Sequence, residues 1–428
     1  MADSKNLAGK KLLILGGNPE TGVLVKTANY LGVYTIVIDP NFKSPAKQFA
    51  KKHYNIDGFD IPNLTKVAKD EKVDGVLVGV ADILVKPYFQ LCEELELPCY
   101  VTKEIIEALS SKDGFMEACN SYGIQTIPSF KLDKNFNSED LINIKYPVMV
   151  KPVDNGGGVG MSICYNQDEL IVGSKNAINN SRKKLFLTER YMECDDIVAY
   201  YTFQGGEIYL SAIADRVTTK KQGISSPVCI ASLYPSKYQS QYFNTIHPIM
   251  TKMFESIGIK NGVLAIQFFV EDNNFYAYDP GFRLQGEAMH IHINKINGFD
   301  HRKMLINFAL TGSMGIKNLR EKNDYLFGGK QCCTLWVLLS SGIIKNIYGI
   351  KELEKDSSVI FVMQRFYEGD KVLENMVGNE KQVLARIYIV SETKVELVSK
   401  INQIKSNLSV IDEDGNEMIV DLLNTSLL

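Results

Sequence analysis

The sequence predicts an α/β and α+β protein of several domains, with a parallel α/β unit first and an α+β unit last. Three observations carry this. The 428 residues are two to three times the roughly 150 of a typical domain. The first hundred residues alternate short apolar runs with helical patterns, the rhythm of a parallel sheet with right-handed crossovers. The stretch from about residue 319 mixes short strands, glycine-containing turns and one helical segment.

In chain order, LLILGG (12–17), TIVIDP (35–40), GVLVG (75–79) and LPCYV (97–101) read as strands, and Val23, Leu24, Thr27, Ala28 and Leu31 give helical spacing after the first. The turn Gly16-Gly17-Asn18-Pro19-Glu20-Thr21-Gly22 leaves the first strand, and Asp39 ends the second. That invites a dinucleotide site with Asp39 on a ribose, but the spacing is not G-x-G-x-x-G and no G-K-[ST] follows. The plainer reading is a tight turn at the carboxyl edge of a sheet, where small ligands also bind. EIIEALSSKDGFMEACNSYG reads as one helical stretch that contains Lys112 and ends at Gly123 as C-cap. YPVMVKPVDNGGGVGMSIC follows as strand, glycine-rich turn and strand, then LFLTERYM (185–192) and GEIYLSAIAD (206–215) as strands. GVLAIQFFVEDNNFYAYDPG (262–281) is a hairpin around Asp272-Asn273-Asn274. MLINFALTG (304–312) is helical, and the final unit holds CCTLWVLLS, SVIFVMQRF and VLARIYIVS as strands and VELVSKINQIK as a helix.

Composition narrows the function. Forty-seven Lys plus Arg against 50 Asp plus Glu, a net charge of -3, removes the electrostatic reason to expect a nucleic-acid partner. No apolar run approaches the ~18 residues of a membrane span, and MADSKNLAGK lacks the apolar core of a signal peptide. None of the eight cysteines forms C-x-x-C, and adjacent Cys332 and Cys333 suit neither a disulfide nor a zinc site. Reduced, buried thiols in a cytoplasmic protein are expected. His290 and His292 form H-x-H without a third ligand nearby, which favours local structure or substrate contact over a metal.

The chemistry concentrates in two places. In KPVDNGGGVGM, Lys151 ends a strand before Gly156, Gly157, Gly158 and Gly160. Such glycines let backbone N–H groups converge on an anion, and the Lys reaches the same phosphates; an ordinary hairpin is the alternative. In the second hairpin, a three-residue loop at Asp272–Asn274 would make Glu271 face Phe275 and Gln267 face Asp279. Two oxygen-bearing side chains about 5 Å apart on one face could hold Mg²⁺ with nucleotide phosphates, or form a buried structural hydrogen bond. Arg283 follows, placed to neutralise a transferring phosphoryl group.

With these motifs in order, the chain resembles the ATP-grasp superfamily, of the biotin carboxylase and carbamoyl-phosphate synthase kind. The resemblance rests on SSKDGF, YPVMVKPVDNGGGVGM, LTERYM and AIQFFVEDNNFYAYDPGFRLQGE, and on a terminal unit with SSGIIKNIYGIKELEKD, YEGD and VLARIYIVSET. It implies a pre-ATP-grasp domain over 1–102, an ATP-grasp domain over 103–318 with a mobile lid at about 129–190, and a biotin-carboxylase-like C-terminal domain over 319–428. It implies that ATP is bound by Lys112, Lys151, Gly156, Gly157, Gly158, Gly160, Glu189, Arg190, Tyr191, Met192 and Asp196, the last on the ribose. Gln267 and Asp279 become the metal pair for Mg²⁺ or Mn²⁺, and Arg283 and Glu287 the catalytic residues. Gly16, Gly17 and Asp82 become substrate contacts, with a helix N-cap the rival role for Asp82. The family commonly has Glu at both metal positions and Asn where Gly281 stands, so the metal site here carries one charge fewer.

The reaction implied is ATP- and Mg²⁺-dependent joining of a small carboxylate to an amine through an acyl phosphate, in a cytoplasmic enzyme without nucleic-acid or membrane partners and compatible with a homodimer. The sequence contains neither a biotinyl domain nor a second ATP-grasp half, so a complete acetyl-CoA carboxylase or carbamoyl-phosphate synthase is not expected. The rivals are a purine-pathway or bicarbonate-activating ligase and a nucleotide-binding regulatory protein without turnover.

Overall fold

The computed structural model describes residues 7–132, 136, 141–154, 158–219 and 227–427. The N-terminal unit is a parallel four-stranded sheet of β1 (Lys11–Leu15), β2 (Tyr34–Ile38), β3 (Lys52–Tyr54) and β4 (Gly75–Val78), in the order β3-β2-β1-β4. Three of its strands are the apolar runs of the sequence; the fourth is not. LPCYV is irregular, and its Tyr100 packs instead on the rings of Tyr88, Phe282 and Phe308 at 5.2, 5.6 and 6.1 Å. Its hydrophobicity serves interdomain packing, whereas the real edge strand, Lys-His-Tyr, is too short and polar to read as one.

The single helix expected around Lys112 is two, Lys103–Leu109 and Lys112–Ser121. Ser111 makes the break: its side chain accepts from Gly114 N at 3.1 Å, capping the second helix and making Lys112 its first residue. β5 (Gln125–Thr126) then joins the large sheet. The next strands, β6 (Ser129–Phe130), β7 (Val148–Pro152), β8 (Ser162–Cys164) and β9 (Phe186–Arg190), form a separate antiparallel sheet in the order β6-β9-β7-β8. Helix Gln167–Asn179 lies on it over a small core of Val148, Val150, Cys164, Leu170 and Ala177. This unit meets the N-terminal one where Arg182 stacks 4.3 Å from the Phe59 ring centre.

The central strands are β10 (Asp195–Gln204), β11 (Glu207–Thr218), β12 (Cys229–Tyr234), β13 (Gly262–Glu271) and β14 (Asn274–Gly281). The sheet they form continues into strands after residue 319. β12 pairs on its other side with β15 (Gln331–Leu339), which continues into β17 (Val383–Ser391) and then β16 (Val359–Gln364). The terminal unit is thus hydrogen-bonded into one ten-stranded sheet with the central one. It keeps a core of its own, with Leu335, Ile387, Ile389, Leu397 and Ile401. Among the described residues, no helix is long and apolar enough to cross a membrane.

Candidate active site

A cavity of about 2710 Å³ lies between the N-terminal unit, the small antiparallel unit and one face of the large sheet. Ligand pockets of about 300–1,000 Å³ are usual, so this one has room for a nucleotide and a further substrate. Strand periodicity places its polar wall. Asp196 and Val198 on β10, Arg216 on β11 and Gln267 and Phe269 on β13 share a face, because Asp196 opposes Arg216 and Phe269, and Val198 opposes Gln267.

Gln267 does face Asp279, by a route different from the expected one. The hairpin turn has two residues, Asp272 and Asn273, both in the left-handed region (φ 49° and 64°), and Glu271 pairs with Asn274. That shorter turn alone would put Gln267 opposite Tyr278. A β-bulge between Gln267 and Phe268 supplies the missing residue and restores the pairing with Asp279. It also lets the consecutive residues Tyr278 and Asp279 both line the cavity.

Above this wall, Lys151, the penultimate residue of β7, is paired with buried Glu189 on β9. Lys112 Nζ donates to the Pro152 carbonyl at 3.3 Å. Burial, and then the charge of Lys151, lower the Lys112 ammonium to about 8, against the pull of Asp279 and Glu189. The Asp279 carboxyl is pushed up by burial and by Asp82, with Lys112, Lys151 and Arg283 opposing. The two lysines and the acid therefore lie within electrostatic reach of one another across the cavity.

Arg190 pairs with Glu271, and its Nε points to the Met192 sulfur at 3.1 Å. Tyr191 N donates to Pro147 O at 3.1 Å. All four residues from Glu189 to Met192 line the cavity, as do Gly158 and Asp196. Gly160 is not part of the lining; it turns the chain at φ 76°, tight against Pro152 and Asn180. Gly156 and Gly157 lie outside the described residues.

Arg283 is paired with Asp82, and its Nη1 donates to Gln285 Oε1 at 2.9 Å and Leu284 O at 3.1 Å. Asp82 opens a short 3₁₀ turn but makes no cap bond there; its carboxylate is turned to Arg283 instead. Gly16 and Gly17 are not in the cavity lining, which takes Asn18, Pro19 and Glu20 from this turn. Gly17 is needed for packing: a Cβ there would lie 2.6 Å from the Ser44 Cβ and 2.9 Å from that of Asp39. His290 and His292 are buried, and burial holds both imidazoles well toward the neutral form.

The residue the sequence reading missed is Arg216. Its Nη1 donates to Asp196 Oδ2 at 2.6 Å, Tyr278 OH at 3.1 Å and Gln267 Oε1 at 3.2 Å. Its Nη2 and Nε donate to Glu287 Oε1 at 3.0 and 3.2 Å, and Tyr200 OH donates to Glu287 Oε2 at 3.0 Å. One guanidinium thus ties the expected ribose acid, metal amide and catalytic acid together. Burial pushes the Asp196 carboxyl up to about 6, while the two carboxylates raise Arg216 further, so the guanidinium keeps its proton. The available signal was a charged Asp-Arg pair ending the otherwise apolar run IYLSAIA.

Residues 111–314 match the family model of the carbamoyl-phosphate synthase L chain, ATP binding domain. The formate-dependent phosphoribosylglycinamide formyltransferase of Prochlorococcus marinus is 24% identical over 271 residues, 61% of this chain and 66% of that protein. The carbamoyl phosphate synthase large chain of Clostridium beijerinckii is 24% identical over 307 residues, 68% of this chain and 28% of that one. The chain thus covers less than two thirds of the length of these relatives. Among solved structures, the L-amino acid ligase of Bacillus licheniformis superposes with a TM-score of 0.76 at 16% identity, covering 95% of this chain and 99% of that one. The biotin carboxylase domain of the Hydrogenobacter thermophilus 2-oxoglutarate carboxylase, solved with MgADP and bicarbonate, gives 0.71 at 18% identity, covering 96% and 91%.

Proposed function

We propose, from the premise that the chain belongs to the ATP-grasp superfamily through this domain, that it is a ligase joining a small carboxylate to an amine with conversion of ATP to ADP and phosphate. The observation that carries the reading is the meeting of Lys112, Lys151, Gln267, Asp279 and Arg283 in one cavity large enough for two ligands. The two lysines take the phosphates of ATP, with Gly158 in the glycine-rich turn beside them. Glu189 to Met192 form the wall for the adenine, and Asp196 faces the ribose. The unit from Ser129 to Arg190 serves as the lid that excludes water.

The donor set fits a hard cation that arrives with the nucleotide. Asp279 and the Gln267 carbonyl face one another across the hairpin and supply two oxygens, the kind of donor Mg²⁺ takes beside nucleotide phosphates. Mg²⁺, or Mn²⁺, would be held there and would neutralise phosphate charge when bound. The substrate carboxylate, steered by Arg283, attacks the γ-phosphorus; its oxygen forms the new P–O bond as ADP leaves. The amine then adds to the acyl phosphate, and phosphate departs with one former carboxylate oxygen. Eight free cysteines fit a cytoplasmic place of work.

The test follows that oxygen. With an ¹⁸O-labelled carboxylate substrate, label is expected in the released phosphate, and hydroxylamine in place of the amine is expected to give the hydroxamate. Label in AMP, or none in phosphate during turnover, would defeat the acyl-phosphate route.

A further inference from the structure

We propose that Cys99 and Cys92 form an oxidation site, at which a hydroperoxide converts the two thiols into one intramolecular disulfide. Neither residue lines the cavity, and the proposal does not depend on the ligase reading.

Local folding brings the pair together. Helix Val85–Leu95 carries Cys92 in its last turn and ends at Glu96, whose left-handed backbone (φ 53°) reverses the chain. Leu97 N donates to Cys92 O at 3.0 Å. Cys99 thus returns beside the helix, and its sulfur meets the Cys92 thiol in a side-chain hydrogen bond. Tyr88, one turn before Cys92, joins them. Its hydroxyl also bonds to Cys99, and its ring lies 5.2 Å from that of Tyr100.

The two sulfurs differ in access and in acidity. Cys92 is 0% exposed, and burial raises its thiol well above the ordinary value. Cys99 is only partly buried. Its sulfur accepts from the Cys92 thiol, the Val101 backbone N–H and the Tyr88 hydroxyl, which lower its thiol against burial and the charge of Glu93. It is the one cysteine of the eight moved toward the thiolate. Burial raises Cys119, Cys164, Cys194, Cys229, Cys332 and Cys333. The thiolate is the nucleophile, so a reachable sulfur of this kind beside a second thiol is the one that oxidises selectively.

The chemistry balances with peroxide as the only co-reactant. The Cys99 sulfur attacks one peroxide oxygen; an S–O bond forms, the O–O bond breaks, and hydroxide leaves and takes a proton to become water. The Cys92 sulfur then attacks that of Cys99; the S–S bond forms, the S–O bond breaks, and the hydroxyl departs with the Cys92 proton as a second water. Two electrons pass from the thiols to the peroxide. Residues 97–101 belong to no strand or helix, so the contraction to an S–S bond of about 2 Å is absorbed locally. Tyr100 moves with the segment. Its ring packs on Phe282 at 5.6 Å, and Arg283 is the next residue, so closure of the disulfide is transmitted to the cavity edge.

The reduced full-length protein is treated with hydrogen peroxide, alkylated under denaturing conditions and mapped by mass spectrometry. Glu93, Glu94 and Glu96 lie between the two cysteines, so cleavage at glutamate puts them on separate peptides unless a disulfide joins them. The Cys92–Cys99 linkage is expected at least about tenfold faster than oxidation of any other cysteine, and dithiothreitol is expected to reverse it. Cys92→Ala is expected to stop at the Cys99 sulfenic acid, trapped with dimedone. Tyr88→Phe, which removes one donor and keeps the ring, is expected to slow linkage about two- to fivefold; it carries the test if Cys92→Ala does not fold. Cys92 and Cys99 still unlinked once other cysteines have oxidised, or an unchanged rate in Tyr88→Phe, overturns the site. Hydrogen exchange of residues 280–284 is expected to change on oxidation, and identical exchange in the two redox states overturns the link to Arg283.

Discussion

Replacing Arg216 by Met removes the one cation shared by buried Asp196 and partly buried Glu287. Arg216 lies 2.6 Å from Asp196 and 3.0 Å from Glu287, and neither acid has another salt-bridge partner among the described residues. Breaking a buried pair from one side costs about 3–5 kcal/mol, because the remaining charge is stranded. At roughly 1 °C per kcal/mol for a chain of this length, the thermal midpoint should fall by about 3–6 °C. The loss should also depend on pH. Burial already holds the Asp196 carboxyl at about 6, and without the guanidinium it moves higher, while in the unfolded chain it stays near about 4. Between those values the native variant binds a proton that the unfolded chain does not, so its stability falls as pH rises through the folded pKa. The deficit against the parent should be largest near pH 8 and shrink below pH 6. Scanning calorimetry at pH 5.5 and 8 reads both effects. A drop below about 2 °C, or one equal at the two pH values, would refute the account of Arg216 as the counter-charge of this wall.

The other predictions concern the ligands. Lys112→Ala and Lys151→Ala should each weaken ATP binding about ten- to hundredfold, the worth of a charge-assisted phosphate contact of about 1.5–3 kcal/mol. With Lys112 at about 8 in the free protein, the side chain is neutral above that pH and must take up a proton on binding. Affinity should therefore decline above pH 8, with proton uptake visible by calorimetry in two buffers, and Lys112→Ala should lose that dependence. Asp279→Asn should abolish turnover. Gln267→Glu should keep it, since Arg216, 3.2 Å away, accepts the added charge; steady-state rates against Mg²⁺ concentration decide both. Gly17→Ala should cost about 1–3 kcal/mol of stability by overpacking against Ser44 without changing substrate KM, whereas a KM change at unaltered stability would return Gly17 to the substrate site.

Much of the site was legible because it is written locally. A Lys near the end of an apolar strand before consecutive glycines is recognisable within ten residues, and Lys151 lines the cavity. Gln267 and Asp279 were paired correctly, but through two misreadings that cancelled. A two-residue turn and a bulge give the same register as a longer turn without one. Sequence does not separate those cases, since both conserve the number of residues between the partners.

Most strands, most of the helices between them and the residues proposed to bind phosphate were legible in the sequence alone, because hydrophobic period and turn chemistry act between near neighbours. Tertiary structure alone decided the rest. LPCYV looks like a strand, yet it is packing material for Tyr88, Phe282 and Phe308. The terminal unit looks separate, yet β12 binds it into the central sheet. Arg216 reaches Glu287, 71 residues away, and Arg386 reaches Glu20, 366 residues away. Such pairs leave no periodic trace, because a buried charge is made tolerable by whichever opposite charge the fold delivers to it, and only the folded chain says which one that is.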